Sequence, residues 1–222
     1  VGITAQQYWE VNREFYLSLV PYLAGSSTMI LLENQCKAYE GHAVRGICAD
    51  PAEAAEWVDR LNEDCGKERF GFCMNVGHYN LCGQDMYECA MTLNKRVKAV
   101  ILQDGDGNEE TSLLLFTAAL KNGHKTDWRS LIRGLREISY DGMLLFEAED
   151  TLAPLSKLLR PPFLAAQKAV ADFFVWQIGL ESTIKKYEKV VLFGAGNMCV
   201  NYLKNYGEKY PPLFTCDNNA NR

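Results

Sequence analysis

Four short apolar segments along the chain each end in polar side chains, and each follows a stretch with helical periodicity. The segments and their polar ends are LLENQ with Glu33, CMNVGH with Asn75 and His78, VILQDGDG with Gln103 and Asp104, and LLFEAED with Glu147. They lie roughly 30–40 residues apart, which is the repeat length of consecutive βα units. Because the loops after parallel strands gather on one face of such a fold, these polar groups are predicted to converge on one site.

The same pattern predicts the elements around these ends. Buried strands are expected at residues 28–33, 69–75, 97–103 and 142–147. Residues 35–50 are expected to form a loop. A helix is predicted to begin after Asp50, with Glu53 placed to close a capping box. Asp127 is predicted to cap a later helix.

Two later stretches depart from the simple alternation of strand and helix. The connection over residues 104–127 is long for a βα loop, which favours a lid or a substrate loop. Residues 152–180 have a helical pattern that is expected to break at Pro161 and Pro162, because proline removes a backbone donor and clashes with the preceding turn.

Composition and charge exclude several classes of protein. The 222 residues include 48% hydrophobic ones and carry a net charge of -5, which argues against nucleic acid or an anionic membrane as a partner. No apolar run approaches the roughly 18 residues of a membrane helix. The eight cysteines include no C-x-x-C pair and are expected to be reduced. The sequence therefore predicts a cytoplasmic protein.

A different pattern begins after a polar stretch at residues 181–189. The segment KVVLFGAG resembles a strand that runs into a dinucleotide-binding turn, with Gly194 and Gly196 at the first two glycine positions and Cys199 at the third. Asp217 lies about 20 residues beyond the turn, where an acid that binds ribose is expected. The pattern leaves two alternatives open, a structural Rossmann-like unit or a site for a nucleotide or nucleotide sugar.

The polar strand ends have the chemistry of proton transfer. Moving a proton at a carbon next to a carbonyl needs an acid and a base on opposite faces of the substrate, and a cation that polarises the oxygens. Glu33 and Glu147 are the candidates for the proton-transfer pair. Asn75 and Gln103 offer a cation only neutral oxygens. His78 taken alone is compatible with a hydrogen-bonding role or a ligand role.

Between about residues 4 and 180 the chain resembles the second half of a sugar isomerase/epimerase barrel of the xylose-isomerase-like superfamily. The resemblance rests on five motifs in order: LLEN, NVGH for the family's D-T-G-H, ILQDGDG for H-x-H-D-N-x-G, TDW, and ISYDGMLLFE for G-Y-D-G before a strand that ends in glutamate. It implies an α/β fold of the (β/α)8 TIM-barrel type, with strands five to eight in residues 1–182. Residues 183–222 would then begin a Rossmann-like βαβ unit.

The resemblance also implies roles for the strand ends. Glu33 and Glu147 would be metal-binding glutamates that double as the catalytic pair, and His78 would contact the substrate. The metal, one of Mn, Mg, Co or Zn, would have the ligands Glu33, Asn75, Gln103 and Glu147. The chain departs from the family at two of them, because Asn75 replaces an aspartate and Gln103 replaces a histidine. Ile101 occupies the other histidine position, and metal binding is expected to be weak.

Two functions follow as hypotheses. The first is a metal-assisted isomerase or epimerase that acts on a sugar or sugar phosphate. The second is a catalytically degenerate barrel that binds a sugar or nucleotide sugar in carbohydrate metabolism or glycan assembly. A metal-content measurement distinguishes them, because stoichiometric metal favours the first.

The first testable prediction concerns assembly. Four βα units would leave open sheet edges and an unsealed apolar interior, and such edges pair readily with an equivalent edge. We therefore expect the chain to be a homodimer whose half-barrels face each other, or a piece of a longer polypeptide. Sedimentation of the purified chain tests this expectation. A cooperatively folded monomer at micromolar concentration would contradict both options and the strand register behind them.

Overall fold

A computed structural model of the chain describes residues 4–105, 107, 109–118 and 126–219. The strands in this part of the chain are β1 (Ile30–Glu33), β2 (Cys36–Tyr39), β3 (His42–Arg45), β4 (Phe70–Asn75), β5 (Val97–Leu102), β6 (Met143–Phe146), β7 (Leu192–Phe193) and β8 (Thr215–Cys216). The α-helices are α1 (Ala5–Leu19), α2 (Pro51–Cys65), α3 (Val76–Leu81), α4 (Met86–Leu93), α5 (Trp128–Glu137), α6 (Glu149–Leu152), α7 (Arg160–Ile184) and α8 (Asn197–Tyr206). Short 3₁₀ turns follow α1 and α4, at Val20–Leu23 and Asn94–Arg96.

The central element is a four-stranded parallel sheet in the order β1-β4-β5-β6. Glu33 pairs with Cys73, Asn75 with Ile101, and Ile101 with Leu145. Helices connect the strands, so the predicted α/β architecture with a parallel sheet is confirmed. Since successive strands are also neighbours in the sheet, all four carboxyl ends lie along one edge.

The two faces of this sheet have different environments because side chains alternate along a strand. One face packs against the helices and forms the main core, with buried side chains from β1, β4 and β5 that are Leu32, Phe70, Phe72, Met74, Val100 and Leu102. The opposite face carries a small cluster of Cys73, Ala99 and Ile101 with Leu31 against it. At the β6 edge of that second face, Met143 and Leu145 are exposed.

The stretch predicted as a loop at residues 35–50 contains an antiparallel hairpin, so that prediction was wrong in part. β2 and β3 pair from Cys36 with Arg45 to Tyr39 with His42. The two turn residues, Glu40 and Gly41, have φ of 48° and 78°. Positive φ at both central residues is what a tight two-residue hairpin needs, and glutamate at the first of them gave only a weak sequence signal.

The predicted helix caps were right at two positions and incomplete at one. Asp50 accepts hydrogen bonds from the backbone N–H groups of Ala52 and Glu53, and Asp127 accepts one from Ser130. The expected capping box at α2 is replaced by another contact, because the Glu53 carboxylate takes a hydrogen bond from the backbone of Cys48. Both carboxylates therefore stabilise the start of α2 from different sides.

Two other elements differ from the sequence prediction, and a third prediction falls partly outside the described residues. The NVGH motif leads directly from β4 into α3, a helix that the sequence did not predict, with Asn75 as its N-cap. Pro161 and Pro162 lie in the first turn of α7, where proline is compatible with a helix, so they begin that helix instead of breaking it. In the connection predicted as a lid, residues 106, 108 and 119–125 lie outside the described residues.

The chain consists of two compact units, Val1–Ile178 and Gly179–Arg222. In the second unit, β7 and β8 are parallel and α8 connects them. Burial opposes ionisation of Glu181 there, but hydrogen bonds from Lys209, Tyr210 and Lys185 outweigh it and lower its pKa to about 2. None of the described helices combines the length and the apolar character that crossing a bilayer requires.

A matched pair of glycine substitutions tests the close packing of α4 against α5. Gly134 and Gly179 both lie inside helices, where alanine is normally more stable by about 0.5–1 kcal/mol. At Gly179 an added Cβ meets no atom within 4 Å, so we expect Gly179→Ala to stabilise. At Gly134 it would lie 2.7 Å from Ala90 Cβ, and we expect Gly134→Ala to destabilise by about 1–3 kcal/mol.

Urea denaturation of the two variants gives the comparison. Equal stabilisation by Gly134→Ala and Gly179→Ala would show that α4 and α5 are farther apart than this structure has them.

Candidate functional site

The four residues predicted as metal ligands lie at the carboxyl edge of the parallel sheet, and we call them the strand-end residues. Glu33 and Asn75 are the last residues of β1 and β4, and Gln103 and Glu147 directly follow β5 and β6. Their order along the edge is the order of the strands, β1-β4-β5-β6. The tertiary structure thus places all four on one edge, and their chemical roles stay predictions.

Asn75 binds Glu33 directly. The Asn75 Nδ2 group donates a hydrogen bond to Glu33 Oε1 at 3.0 Å. The orientation of this amide follows from its other contact, because Asn75 Oδ1 accepts the backbone N–H of His78 at 3.1 Å and caps α3. The Glu33 carboxylate therefore faces an N–H donor at the position where the family pattern has an anionic aspartate.

Asn34 holds the ends of β1 and β4 together, and the sequence interpretation missed it as a site residue. Its side chain is fully buried, accepts the backbone N–H of Asn75 at 2.7 Å and donates to the Asn75 carbonyl at 2.9 Å. The signal in the sequence was the amide next to Glu33 in LLEN. A buried amide that satisfies both backbone groups of another strand end fixes the distance between those strands.

His78 lies between two acceptors. Its Nδ1 is 2.7 Å from the carbonyl oxygen of Asn34 and 3.6 Å from Glu33 Oε1, and its Nε2 is 3.0 Å from Glu110 Oε1. A carbonyl oxygen only accepts, so Nδ1 carries a proton. The imidazole is buried, with 7% of its surface exposed, and it joins β1, α3 and the connection after β5.

Gln103 is buried and its hydrogen bonds do not reach the other strand-end residues in the described part of the chain. Its Nε2 donates to the backbone carbonyl of Thr111 at 2.8 Å, and its Oε1 is buried with no hydrogen-bond partner among the described residues. A Cβ at Gly77 would lie 2.8 Å from Gln103 Cδ, so the glycine of NVGH gives this side chain its space. The unpartnered oxygen is the one feature of Gln103 that points to a missing donor or cation.

Glu147 is exposed, and its backbone N–H donates to Leu102 at 3.2 Å. Its carboxylate and that of Glu33 still act on a common neighbour, Cys73. Burial is the main reason why the pKa of the Cys73 thiol rises to about 12, and the negative charges of Glu33 and Glu147 raise it further. The two carboxylates thus flank one apolar patch of the sheet without touching each other through a described hydrogen bond.

Asp104 has a structural role. Oδ1 accepts the backbone N–H of Gly105 and the hydroxyl of Thr126, each at 3.1 Å, and Oδ2 accepts the backbone N–H of Ala118 at 3.3 Å. These contacts tie together the described parts of the long connection after β5. Its carboxylate is therefore occupied by the loop.

Two further residues belong to this edge although the sequence gave no reason to connect them. Cys36 Sγ lies 3.8 Å from Glu110 Oε2, while the other oxygen of Glu110 faces His78. Burial and the neighbouring Glu110 carboxylate raise the pKa of Cys36 to about 11. Cys36 is in the unpredicted hairpin and Glu110 in a loop, so only the tertiary structure brings them to His78.

The strand-end residues do not fit the divalent cation that the family resemblance implies. Two carboxylates are present, but the position between Glu33 and Asn75 is already satisfied by an N–H donor, and Gln103 can offer a cation only the neutral oxygen of its amide. Neutral amide oxygens are poor replacements for a carboxylate and an imidazole. No step through a metal at this position is supported by these donors.

The glycine-rich turn of the second unit has its own arrangement. Gly194 has φ of 94°, in the region that favours glycine, and Gly196 precedes α8. Asp217 Oδ2 accepts the backbone N–H of Ala195 at 2.6 Å, and Oδ1 accepts that of Asn219. These hydrogen bonds lower the pKa of Asp217. Its carboxylate is thus bound to the turn itself, and a ribose-binding role for it stays a prediction.

Comparison with known proteins identifies the class of protein that this sheet and its carboxyl edge define. The chain belongs to the xylose isomerase-like TIM barrel family, whose profile matches residues 2–170. This family is the one that the five motifs indicated. No curated protein matches the chain.

Several solved structures have a similar fold at low identity. A D-tagatose 3-epimerase-like protein is 16% identical with a TM-score of 0.55, and the match covers 78% of this chain and 57% of that one. A D-allulose 3-epimerase from Methylomonas sp. is 18% identical with a TM-score of 0.55, over 79% and 58%. An L-ribulose 3-epimerase is 13% identical with a TM-score of 0.54, over 85% and 61%. The chain spans less than two thirds of each of these structures, and the likeness shows the fold alone.

The amides at Asn75 and Gln103 should prevent tight metal binding at the strand ends, and restoring the family's residues should reverse this. We expect the double variant Asn75→Asp with Gln103→His to bind Mn²⁺ at least about tenfold more tightly than the natural chain, because it gains one anionic and one imidazole ligand. Titration calorimetry measures the change. Asn80→Asp with Gln84→His, away from the strand ends, is the matched control. Unchanged Mn²⁺ affinity in the first variant would show that the register with the family is wrong.

Proposed function

We propose that the carboxyl edge of the sheet binds a sugar or sugar phosphate without the family's metal, so that the protein is a catalytically degenerate relative of the sugar isomerases and epimerases. The observation that carries this proposal is the hydrogen bond from Asn75 Nδ2 to Glu33 Oε1. It places a neutral donor on the glutamate where a metal-dependent enzyme needs a cation. The family membership and the epimerase-like fold support a sugar as the ligand.

The groups at this edge have the chemistry of carbohydrate recognition. Within the described residues no hydrogen bond involves Glu33 Oε2, and the side chain is 31% exposed, so this oxygen is available to accept from a sugar hydroxyl. A hydrogen bond to a charged group contributes about 1.5–3 kcal/mol. On the same face of the sheet, the exposed side chains of Met143 and Leu145 supply apolar surface for the carbon face of a sugar ring.

His78 and Asn75 position Glu33 in this proposal. The Asn75 amide holds one oxygen of the carboxylate, and the Nδ1–H of His78 lies 3.6 Å from the same oxygen. Both neighbours are in turn bound to Asn34, which is buried. The carboxylate therefore presents its second oxygen in a defined direction, and preorganised polar groups lose less entropy on binding.

The metal-assisted isomerase or epimerase is the second candidate, and one observation favours it. Glu33 and Glu147 lie at the ends of the two outer strands of the sheet, and both negative charges raise the pKa of Cys73 between them, so two carboxylates face one patch from opposite sides.

We further propose that residues 1–182 correspond to strands five to eight of the barrel. Residues 183–222 then begin a Rossmann-like unit, for which we propose a nucleotide as the ligand.

Substitution of Glu33 tests the binding proposal. We expect the chain to bind at least one ketohexose or its phosphate, and Glu33→Gln to weaken that binding about tenfold or more, because an amide replaces the charged acceptor. Calorimetry with D-allulose, D-tagatose, D-fructose and their phosphates is the measurement. Glu63→Gln is the control, because Glu63 is exposed near the end of α2, which leads to the amino end of β4 and not to its carboxyl end.

Two outcomes decide between the candidates. Saturable binding without chemical change of the sugar supports the degenerate barrel, whereas conversion of one ketose into its epimer, followed by NMR, supports the enzyme. Absence of saturable binding to all of these sugars, or equal binding by the Glu33→Gln variant, would overturn the proposal.

A further inference from the structure

Three side chains of metal-binding type come together at the same edge from three separate elements. Cys36 begins β2, His78 lies in α3, and Glu110 lies in the connection after β5. Their ligand atoms, one sulfur, one nitrogen and one oxygen, all lie within 4.8 Å of one another. We propose that Cys36, His78 and Glu110 bind a zinc ion at a site distinct from the strand-end residues.

The distances between the ligand atoms are close to those of a zinc site. His78 Nε2 lies 3.0 Å from Glu110 Oε1, and Cys36 Sγ lies 3.8 Å from Glu110 Oε2. Zinc bonds of about 2.0–2.3 Å in tetrahedral geometry put neighbouring ligand atoms roughly 3.3–3.8 Å apart. Taken with one atom from each residue, no two of the three ligand atoms are more than 4.8 Å apart, so displacements of about one ångström are enough to seat the ion. Glu110 has the freedom for this, because its side chain is 62% exposed.

The orientation of His78 is already that of a metal ligand. Its Nδ1 is held by the backbone carbonyl of Asn34 at 2.7 Å, and Nε2 points to Glu110. Histidines that bind metals commonly donate the other ring N–H to a carbonyl or carboxylate, which fixes the tautomer and leaves a lone pair for the ion. Here Glu33 adds a second acceptor on the Nδ1 side, 3.6 Å away.

The arrangement also needs a positive charge. With Nδ1 protonated, a neutral imidazole presents a lone pair at Nε2 toward a carboxylate oxygen 3.0 Å away. Two acceptors at this distance repel unless a proton or a metal ion lies between them. The competing explanation is therefore an imidazolium that pairs with Glu110 while the Cys36 thiol donates to the other carboxylate oxygen.

The donor set selects zinc over the harder cations. Thiolate, imidazole and carboxylate are the three ligand types that zinc takes in proteins, whereas magnesium and calcium require oxygen ligands throughout. The thiol proton is lost to solvent when the ion binds. Three protein ligands leave one coordination position for water or for a ligand at the carboxyl edge. The inference does not depend on the proposed function, because it concerns a different donor set.

Cobalt substitution on the full 222-residue chain is the direct test. We expect one Co²⁺ per chain to give the near-ultraviolet charge-transfer band of a cobalt–thiolate bond, and one Zn²⁺ to displace it. Cys36→Ser should abolish the band. Glu110→Gln should keep the band and weaken zinc binding about tenfold or more, in line with the loss of one charged ligand.

Matched controls separate this site from adventitious binding. Cys65→Ser removes a thiol at the last residue of α2, which in the sequence precedes the amino end of β4 and not its carboxyl end. Glu109→Gln changes the carboxylate next to Glu110 in the sequence. Both should leave the band and the zinc affinity unchanged. Absence of a thiolate band in the natural chain, or equal zinc binding by the Cys36→Ser and Cys65→Ser variants, would overturn the proposal in favour of the imidazolium pair. Circular dichroism checks that each variant is folded. Because the Glu110 side chain is exposed, Glu110→Gln is the variant that should disturb folding least.

Discussion

The buried side chain of Asn34 is the contact on which the candidate site depends. It bonds to both backbone groups of Asn75 and so joins the ends of β1 and β4. The backbone carbonyl oxygen of the same residue accepts the hydrogen bond from Nδ1 of His78. Glu33, Asn75 and His78 take their mutual geometry from this one residue. An unpaired amide in such a buried place would be costly, so the strands stay in register where both of its polar groups are satisfied.

If Asn75 stands at the family's aspartate position, as the motifs predict, the amide there changes the electrostatics of the edge. An aspartate and a glutamate at the ends of neighbouring strands repel unless a cation lies between them, whereas Asn75 and Glu33 attract each other directly. The side-chain oxygen of Asn75, Oδ1, meanwhile caps α3 by accepting the backbone N–H of His78. A fold can thus be retained after its original chemistry has lost its ligands.

The carboxyl edge also includes a cluster of metal-binding side chains, and exposed apolar side chains lie on the same sheet. Cys36, His78 and Glu110 face one another on the side of His78 away from Glu33, and the exposed apolar side chains Met143 and Leu145 mark the other end of the sheet face. The carboxyl edge therefore combines hydrogen-bond donors, a carboxylate with one oxygen that has no partner in the described part of the chain, and an apolar surface. Sites for small polar ligands typically have this mixture.

Much of the fold followed from the local pattern. Apolar runs of strand length, separated by helical periodicity and by the caps Asp50 and Asp127, predicted a parallel α/β sheet, and the positions of Glu33 and Asn75 as strand ends came from the same pattern. The hairpin at 36–45 and the start of α7 were not predictable in this way. The hairpin needs a positive φ at Glu40, which a glutamate does not signal. Whether a proline breaks a helix or begins one depends on its position in the helix, and the residue type alone does not give that position.

The sequence by itself determined the class of fold and the family, and it predicted the loss of two ligand types, because these depend on residue identity and order along the chain. Only the tertiary structure decided which groups touch. The Asn75 side-chain nitrogen faces Glu33 because the backbone N–H of His78 takes the side-chain oxygen, while Asn34 holds the backbone of Asn75 in place. Cys36 reaches Glu110 because a hairpin and a loop meet at His78. Contacts between residues 32 to 74 positions apart depend on strand register and loop path, which no local pattern encodes.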